Sequence, residues 1–355
     1  MHDSRSQLDQ LDAQIEAVDQ AWIDRAAARQ LTLTKPSGSL GRLEEIGNRL
    51  AAIQRTIKPN VSRKRIYVVA GDHGVTAEGV SAYPREVTAQ MIDNFLAGGA
   101  AINVLGRLGD IDVRIVDAGV DADLTGRSGL VDIKRLRGTA NFACGPAMSS
   151  VEAERLVVAG IDLARVARAD GIQLLGIGDM GIGNTTAASA ITAALTKEDP
   201  VNHTDRGTGI DDRVLNRKVE VVRRSLALNQ PDAVNALDVL AKVGGAEIGV
   251  MMGVVIGAAV NRIGVVADGF ISTAAAALAV SLCPNSQGYL FLAHRSIERG
   301  HAALIRLIGL EPLLDLKMRL GEGTGAALAM HIIDASAKLL NEMSTFTEAK
   351  VSNKA

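Results

Sequence analysis

The chain has 355 residues, with 38 Lys+Arg against 40 Asp+Glu and a formal net charge of −2. Its 47% hydrophobic content supports a large core over roughly two domains and rules out wholesale disorder. Near-neutral charge and an aromatic content of 3% argue against a nucleic-acid surface, and 36 glycines predict tight turns or backbone pressed close to a ligand.

Residues 5–30 carry Leu8, Leu11, Ile15, Val18 and Trp22 at three-four spacing, which predicts one amphipathic helix. The loop Lys35-Pro36-Ser37-Gly38-Ser39-Leu40-Gly41 follows, then a helix over Leu43–Ile57. After Arg63-Lys64-Arg65 the pattern changes. Ile66–Ala70 is a short β-rich run ending in Gly71-Asp72-His73-Gly74, and the same grammar recurs at Val113–Val116, Gln173–Leu175, Ile263–Val266 and Tyr289–Leu292. Helical stretches lie between them, at Val87–Leu105, Val151–Ala169, Thr185–Thr196, Asp211–Leu228, Ala233–Leu240 and Ser272–Leu282. Strand, glycine or acid, then helix, is the grammar of an α/β, Rossmann-like open parallel sheet with helices on both faces. Ligands of such sheets bind at the carboxyl ends of the strands, where these glycines and acids fall. Helices return over Ser296–Ile308 and Gly325–Met343, followed by a polar tail. Residues 1–62 and 296–355 are expected to combine into a small helical domain against a sheet domain of residues 63–295.

Cys144 and Cys283 are far apart and read as reduced thiols. The polar start Met1–Gln7 shows no signal peptide, and the apolar runs Ile248–Val260 and Phe270–Cys283 fall short of the ~20 residues of a membrane span. A cytoplasmic protein with neither nucleic acid nor membrane as partner is expected. No H-x-x-x-H spacing occurs among the six histidines, so no metal site is predicted, and His73 reads as a loop hydrogen-bonder.

Gly176-Ile177-Gly178-Asp179-Met180-Gly181 matches a dinucleotide fingerprint but lacks the acid that should close a second strand. With Gly183-Asn184-Thr185 it reads better as a monophosphate cradle opening a helix. Gly207-Thr208-Gly209 is a second glycine loop, with Asp211 or Asp212 able to cap the next helix. Arg217 and Lys218 on that helix are candidate phosphate partners, one of them expected to be only a surface charge. Glu322, between Gly321 and Gly323 at a helix start, suits a general base or a residue that merely complements the helix dipole.

In order along the chain, several segments together resemble one family. They include the 35–41 loop, Ala70-Gly71-Asp72-His73-Gly74-Val75, Glu78-Gly79-Val80-Ser81 and Asn94–Asn103. Gly181–Thr186, Gly207–Asp211, Asp268-Gly269-Phe270, Ala293-His294-Arg295-Ser296 and Leu320–Ala327 continue the series. The family is that of nicotinate-nucleotide:dimethylbenzimidazole phosphoribosyltransferases, which activate the lower-ligand base of cobamides. The resemblance implies transfer of 5-phosphoribose from nicotinate mononucleotide to an aromatic acceptor, with inversion at the anomeric carbon and without a metal or other cofactor. It implies Glu322, in the loop 321–325, as the base. Phosphate or nucleotide contacts are implied for Gly178, Gly181, Gly183, Asn184 and Thr185, and for Gly207, Lys218 and Ser296. It also implies a homodimer, or a heterodimer with a paralogous chain that leaves one subunit catalytically quiet.

The acceptor pocket is implied for Tyr83, Met91, Asp179 and Met180. Benzimidazole-activating members are expected to have serine, glutamine and glutamate at positions 83, 91 and 179. The substitutions here predict a smaller, more apolar pocket and a phenolic acceptor such as phenol or p-cresol.

Overall fold

The computed structural model describes residues 8, 11–207 and 209–352. The polar start Met1–Gln7, Thr208 of the second glycine loop and the tail end 353–355 lie outside them. Six parallel strands form one open α/β sheet: β1 Lys64–Gly71, β2 Ile111–Gly119, β3 Leu130–Asp132, β4 Leu174–Met180, β5 Gly264–Ala267 and β6 Leu290–Leu292. Their order is β3-β2-β1-β4-β5-β6.

The α-helices, in chain order, are α1 Gln20–Gln30, α2 Arg42–Gln54, α3 Val87–Leu96, α4 Ala101–Gly109, α5 Ser150–Ala169, α6 Asn184–Thr196 and α7 Asp212–Asn229. They continue as α8 Ala236–Val243, α9 Ala246–Val260, α10 Phe270–Leu282, α11 Arg299–Ile308, α12 Thr324–Glu342 and α13 Phe346–Ala349. Adjacent residues of β1 show that both faces are covered. The Tyr67 hydroxyl donates to Leu163 O of α5 at 2.9 Å, while Ile66 packs on the other face beside Gly176 and Gly323. Small residues bring the layers together: a Cβ at Gly253 or Gly160 would strike the backbone of the helix opposite, so α9 and α5 meet nearly backbone to backbone.

Four differences from the sequence reading have physical causes. The expected helix over residues 5–30 is interrupted: Leu8 and Leu11 are helical and Asp12–Gln14 form a 3-10 turn, but residues 15–19 are not helical. The chain turns helical again at Gln20, where Asp19 caps it by accepting from Ala21 N at 2.9 Å. The preceding segment docks instead: Ile15 O accepts from Asn285 Nδ2 and Glu16 O from the Tyr289 hydroxyl, both at 2.9 Å. The expected helix Val87–Leu105 is two, α3 and α4, broken at Gly98 with φ +80°. Strand β1 starts two residues early, because Lys64 and Arg65 are neutralised by Asp334 at 3.1 Å and by Asp112 and Asp170 at 2.7 and 2.8 Å. Finally, β4 runs on to Met180, so Gly176 and Gly178 are strand residues rather than loop residues.

The two chain ends meet. α2 packs against α1 and α12, and Thr34 N donates to Ser344 O at 3.0 Å. Helix α11, by contrast, packs on α10 and α6 beside the sheet. No helix among the described residues is long and apolar enough to cross a membrane.

Candidate active site

From β1 the chain crosses to β2 on one side, and from β4 to β5 on the other. This strand order has its switch point between β1 and β4, and open α/β sheets place ligands beyond the carboxyl ends there. A cavity of about 540 Å³ lies beyond the β4, β5 and β6 ends. It is lined from β4 and the α6 start, from Gly269–Ile271, from His294 to Glu298 and from Met318–Gly321.

One half of this cavity suits an anion. Gly183, with φ +97°, leads into α6 and carries no side chain to cap it. Asn184 N and Thr186 N donate to Gly181 O and Gly183 O, and the positive end of the helix faces the cavity without a side-chain cap. The Thr185 hydroxyl accepts from Lys218 Nζ at 2.8 Å, and that ammonium also donates to Asp205 O at 3.1 Å. Lys218 is only 1% exposed, and burial pulls its pKa down to about 8 against the attraction of Glu298 and Asp205. Gly207 packs against Thr185 and Lys218, and its carbonyl accepts from Arg319 Nη1 at 2.9 Å. Ser296 lines the same end, its hydroxyl accepting from Glu298 N at 3.4 Å. A buried ammonium, two hydroxyls and a helix N-terminus together can hold a phosphomonoester. Of the two sequence candidates on α7, Lys218 reaches the site while Arg217 is exposed. Asp211, rather than Asp212, caps α7, accepting from Val214 N at 2.8 Å.

At the other half Asp179 and Gly321 line the cavity, with the buried carboxylates of Glu322 and Asp268 behind them rather than in its wall. Gly321, Glu322 and Gly323 have φ of +85°, +62° and +84°, three left-handed residues in a row. Glutamate adopts that region at a cost of about 1 kcal/mol or more, and such strain persists only where neighbours enforce it. Here Glu322 N donates to Asp179 O at 3.1 Å, while Ile102 N donates to Glu322 Oε2 at 3.4 Å. Burial raises the Glu322 carboxyl above the usual range, opposed by that Ile102 hydrogen bond. Asp179 accepts from Asn184 Nδ2 at 2.8 Å, and its carboxyl is pushed well up by burial and then by the charges of Asp268 and Glu247. Asp268 accepts from the N–H groups of Gly323, Gly325 and Ala326 at 3.0, 2.6 and 3.1 Å. Burial carries its carboxyl up to about 7 in spite of them.

Tyr83, Asp179 and Met180 line the cavity, with Tyr83 54% exposed at its rim. Met91 does not line it; it sits half-buried on α3 against the core. Gly178 meets the 321–325 loop instead of the anion cradle, since a Cβ there would run into Gly323. His73 is fully buried, its Nε2 2.8 Å from Glu247 Oε1, and supports the cradle from below with its Cβ beside Gly183. Sequence reasoning left out Phe270, His294, Glu298, Met318, Arg319 and Leu320 as wall residues. Phe270, His294 and Leu320 fall within the segments that carry the family resemblance, while Glu298, Met318 and Arg319 had only their position after a strand end or just before the Gly-Glu-Gly loop.

A family model described as "Phosphoribosyltransferase" matches residues 15–351. The nicotinate-nucleotide–dimethylbenzimidazole phosphoribosyltransferase of Geobacter metallireducens is 53% identical over 337 residues, 95% of this chain and 96% of that protein. Its namesake from Chloroflexus aggregans is 52% identical over 340 residues, 96% of each. The crystal structure of CobT from Thermus thermophilus superposes with a TM-score of 0.91 at 48% identity, covering 94% of this chain and all of that one. The chain therefore belongs to the nicotinate-nucleotide–dimethylbenzimidazole phosphoribosyltransferase family.

Proposed function

We propose that this chain moves 5-phosphoribose from nicotinate mononucleotide to 5,6-dimethylbenzimidazole, releasing nicotinate and the α-riboside phosphate used in cobamide biosynthesis. The observation that carries the reading is the short link between the anion cradle and Glu322, which stands just behind the cavity wall at Asp179 and Gly321. Asp179 joins Asn184 of the cradle to Glu322 of the glycine loop through one side-chain and one backbone hydrogen bond. A phosphate on Thr185, Lys218 and Ser296 would leave the sugar's anomeric carbon reaching toward Glu322.

The chemistry needs little else. Nicotinate is bound through a cationic ring nitrogen, so when the C1′–N bond breaks its electron pair neutralises that charge and no acid is required. An acceptor ring nitrogen attacks C1′ from the opposite face, and the acceptor's N–H proton passes to Glu322. Glu322 suits the role better than Asp179, whose Oδ2 is committed to Asn184 and whose carboxyl is pushed up further. The step calls on no metal.

A phenolic acceptor is a second reading, favoured by Tyr83 and Met180 beside the apolar Phe270, Met318 and Leu320. In that case the attacking atom is the hydroxyl oxygen, and its proton goes to the same carboxylate. Cytoplasmic location, the helical unit made by the two chain ends and a dimer belong to the same proposal. The test is incubation of the purified single chain with nicotinate mononucleotide and dimethylbenzimidazole, phenol or p-cresol, with products separated by chromatography. Release of nicotinate with dimethylbenzimidazole supports the first reading. Release only with phenolics selects the second. With no acceptor giving turnover, the chain is the quiet partner of an active paralogue.

A further inference from the structure

Asp268 is spent on backbone rather than on the cavity. It follows β5, is 1% exposed and does not line the pocket. Its main chain is tied to both neighbouring strand ends: its N–H donates to Ile177 O at 3.3 Å, and its carbonyl accepts from His294 N at 3.4 Å. From that fixed point the carboxylate grips the glycine loop. Oδ2 accepts from Gly323 N at 3.0 Å, and Oδ1 accepts from Gly325 N at 2.6 Å and Ala326 N at 3.1 Å. The first of these N–H groups belongs to the peptide that joins Gly323 to the left-handed Glu322, so the grip begins at the residue just after it. Only a carboxylate presents two acceptor oxygens and no donor to three converging N–H groups. The charged or titratable groups facing it are Glu322 on the loop, Asp179 on β4 and His294 after β6, whose Nε2 is 3.9 Å from Oδ1.

We propose that Asp268 is the positioning residue of the reaction, holding Glu322 in the strained conformation from which it takes the acceptor's proton. The proposal rests on Glu322 being the base. It assigns Asp268 no contact with substrate; its effect passes through residues 321–325.

The Asp268→Asn variant keeps the shape but turns one acceptor into an NH₂ donor, which must face at least one of the three N–H groups. The experiment measures steady-state transfer with the full chain as wild type, Asp268→Asn, Glu322→Gln and the double variant. The expected loss in kcat for Asp268→Asn is roughly 10- to 100-fold, the scale of a small misplacement of a catalytic group. The KM for nicotinate mononucleotide should stay within about threefold, because the cradle on α6 and α7 is untouched. Once Glu322 is glutamine, the second substitution should cost nothing further.

Losses that multiply in the double variant, or a KM for the mononucleotide that rises with the fall in kcat, overturn the proposal. Wild-type kcat in Glu322→Gln overturns the assignment of the base instead. Should Asp268→Asn not fold, Asp268→Glu keeps the charge and both acceptors while pushing them outward. Its kcat must then fall with KM for the mononucleotide retained; a wild-type kcat in that variant refutes the positioning role.

Discussion

Replacing Gly178 by alanine should disable catalysis from a position outside the cavity wall. Gly178 lies in β4, opposite Val68 of β1. A Cβ there would stand 2.6 Å from the carbonyl carbon of Glu322 and closer still to N and Cα of Gly323. All three are backbone atoms, so no flexible side chain can swing aside. The strand cannot yield either, because β4 is hydrogen-bonded to β1 and β5 on its two edges. The 321–325 loop must retreat, and restoring ordinary contact at 3.4 Å from Gly323 N at 2.1 Å requires about 1.3 Å of movement. Overpacking of this kind costs about 1–3 kcal/mol of stability. Displacing a catalytic group by about 1 Å costs on the order of 100-fold in rate. The expected result is a folded protein with a lowered melting temperature and kcat down roughly 100-fold, while KM for nicotinate mononucleotide changes little. The assay is nicotinate release at saturating acceptor, beside a thermal melt. A folded Gly178→Ala protein with kcat within about threefold of wild type would show that the loop's position does not govern the chemistry.

Lys218→Ala should act in the opposite way. It should raise KM for nicotinate mononucleotide by about 10- to 100-fold, the loss of a charge-assisted bond, with kcat much less affected; initial-rate kinetics separate the two. For the wild type, kcat should fall on acidification at a pH above the ordinary glutamate range. Burial raises the Glu322 carboxyl, and only its ionised form is a base; a pH–rate profile checks this. Asp179→Asn should stabilise the protein at pH 8. The Asp179 carboxyl is raised in the folded state, so its favourable contribution is present below the unfolded pKa and lost as pH rises through the folded one. The melting temperature of the variant should exceed that of the wild type by about 2 °C at pH 8 and by less at pH 5.

What could be read from the sequence was whatever is written locally. A β-rich run closed by glycine or acid and followed by a helix is a local pattern, and it gave a parallel sheet with its site at the strand ends. Gly181–Thr185 and Glu322 were visible for the same reason, each bracketed by glycines at a helix start. The rest depended on distant partners. Lys64 and Arg65 look like a boundary until Asp334, Asp112 and Asp170 are brought to them. β3 has only three residues, too few for any periodicity. Gly176 and Gly178 imitated a phosphate loop, yet each is glycine because α12 or its leading loop crosses the strand there. Met91 was assigned by its place in a segment, and the face of α3 on which it sits turns it to the core.

The buried carboxylates explain why this site is built on backbone. Asp179, Asp268 and Glu322 lie close enough that the charges of Asp268 and Glu322 raise the Asp179 carboxyl and that of Glu322 raises Asp268. In an apolar shell such a cluster would be neutralised by protons and hold no base. Here the N-terminus of α12 points at it, and its first N–H groups bind Asp268. That arrangement favours negative charge where an arginine or lysine would do the same. A cation beside the base would lower its proton affinity and compete for the phosphate; the α12 N–H groups do less of the first, and those bound to Asp268 are not free for the second. The glycines of the 321–325 loop let those dipoles approach, and so some of this chain's 36 glycines also set the electrostatics of its site.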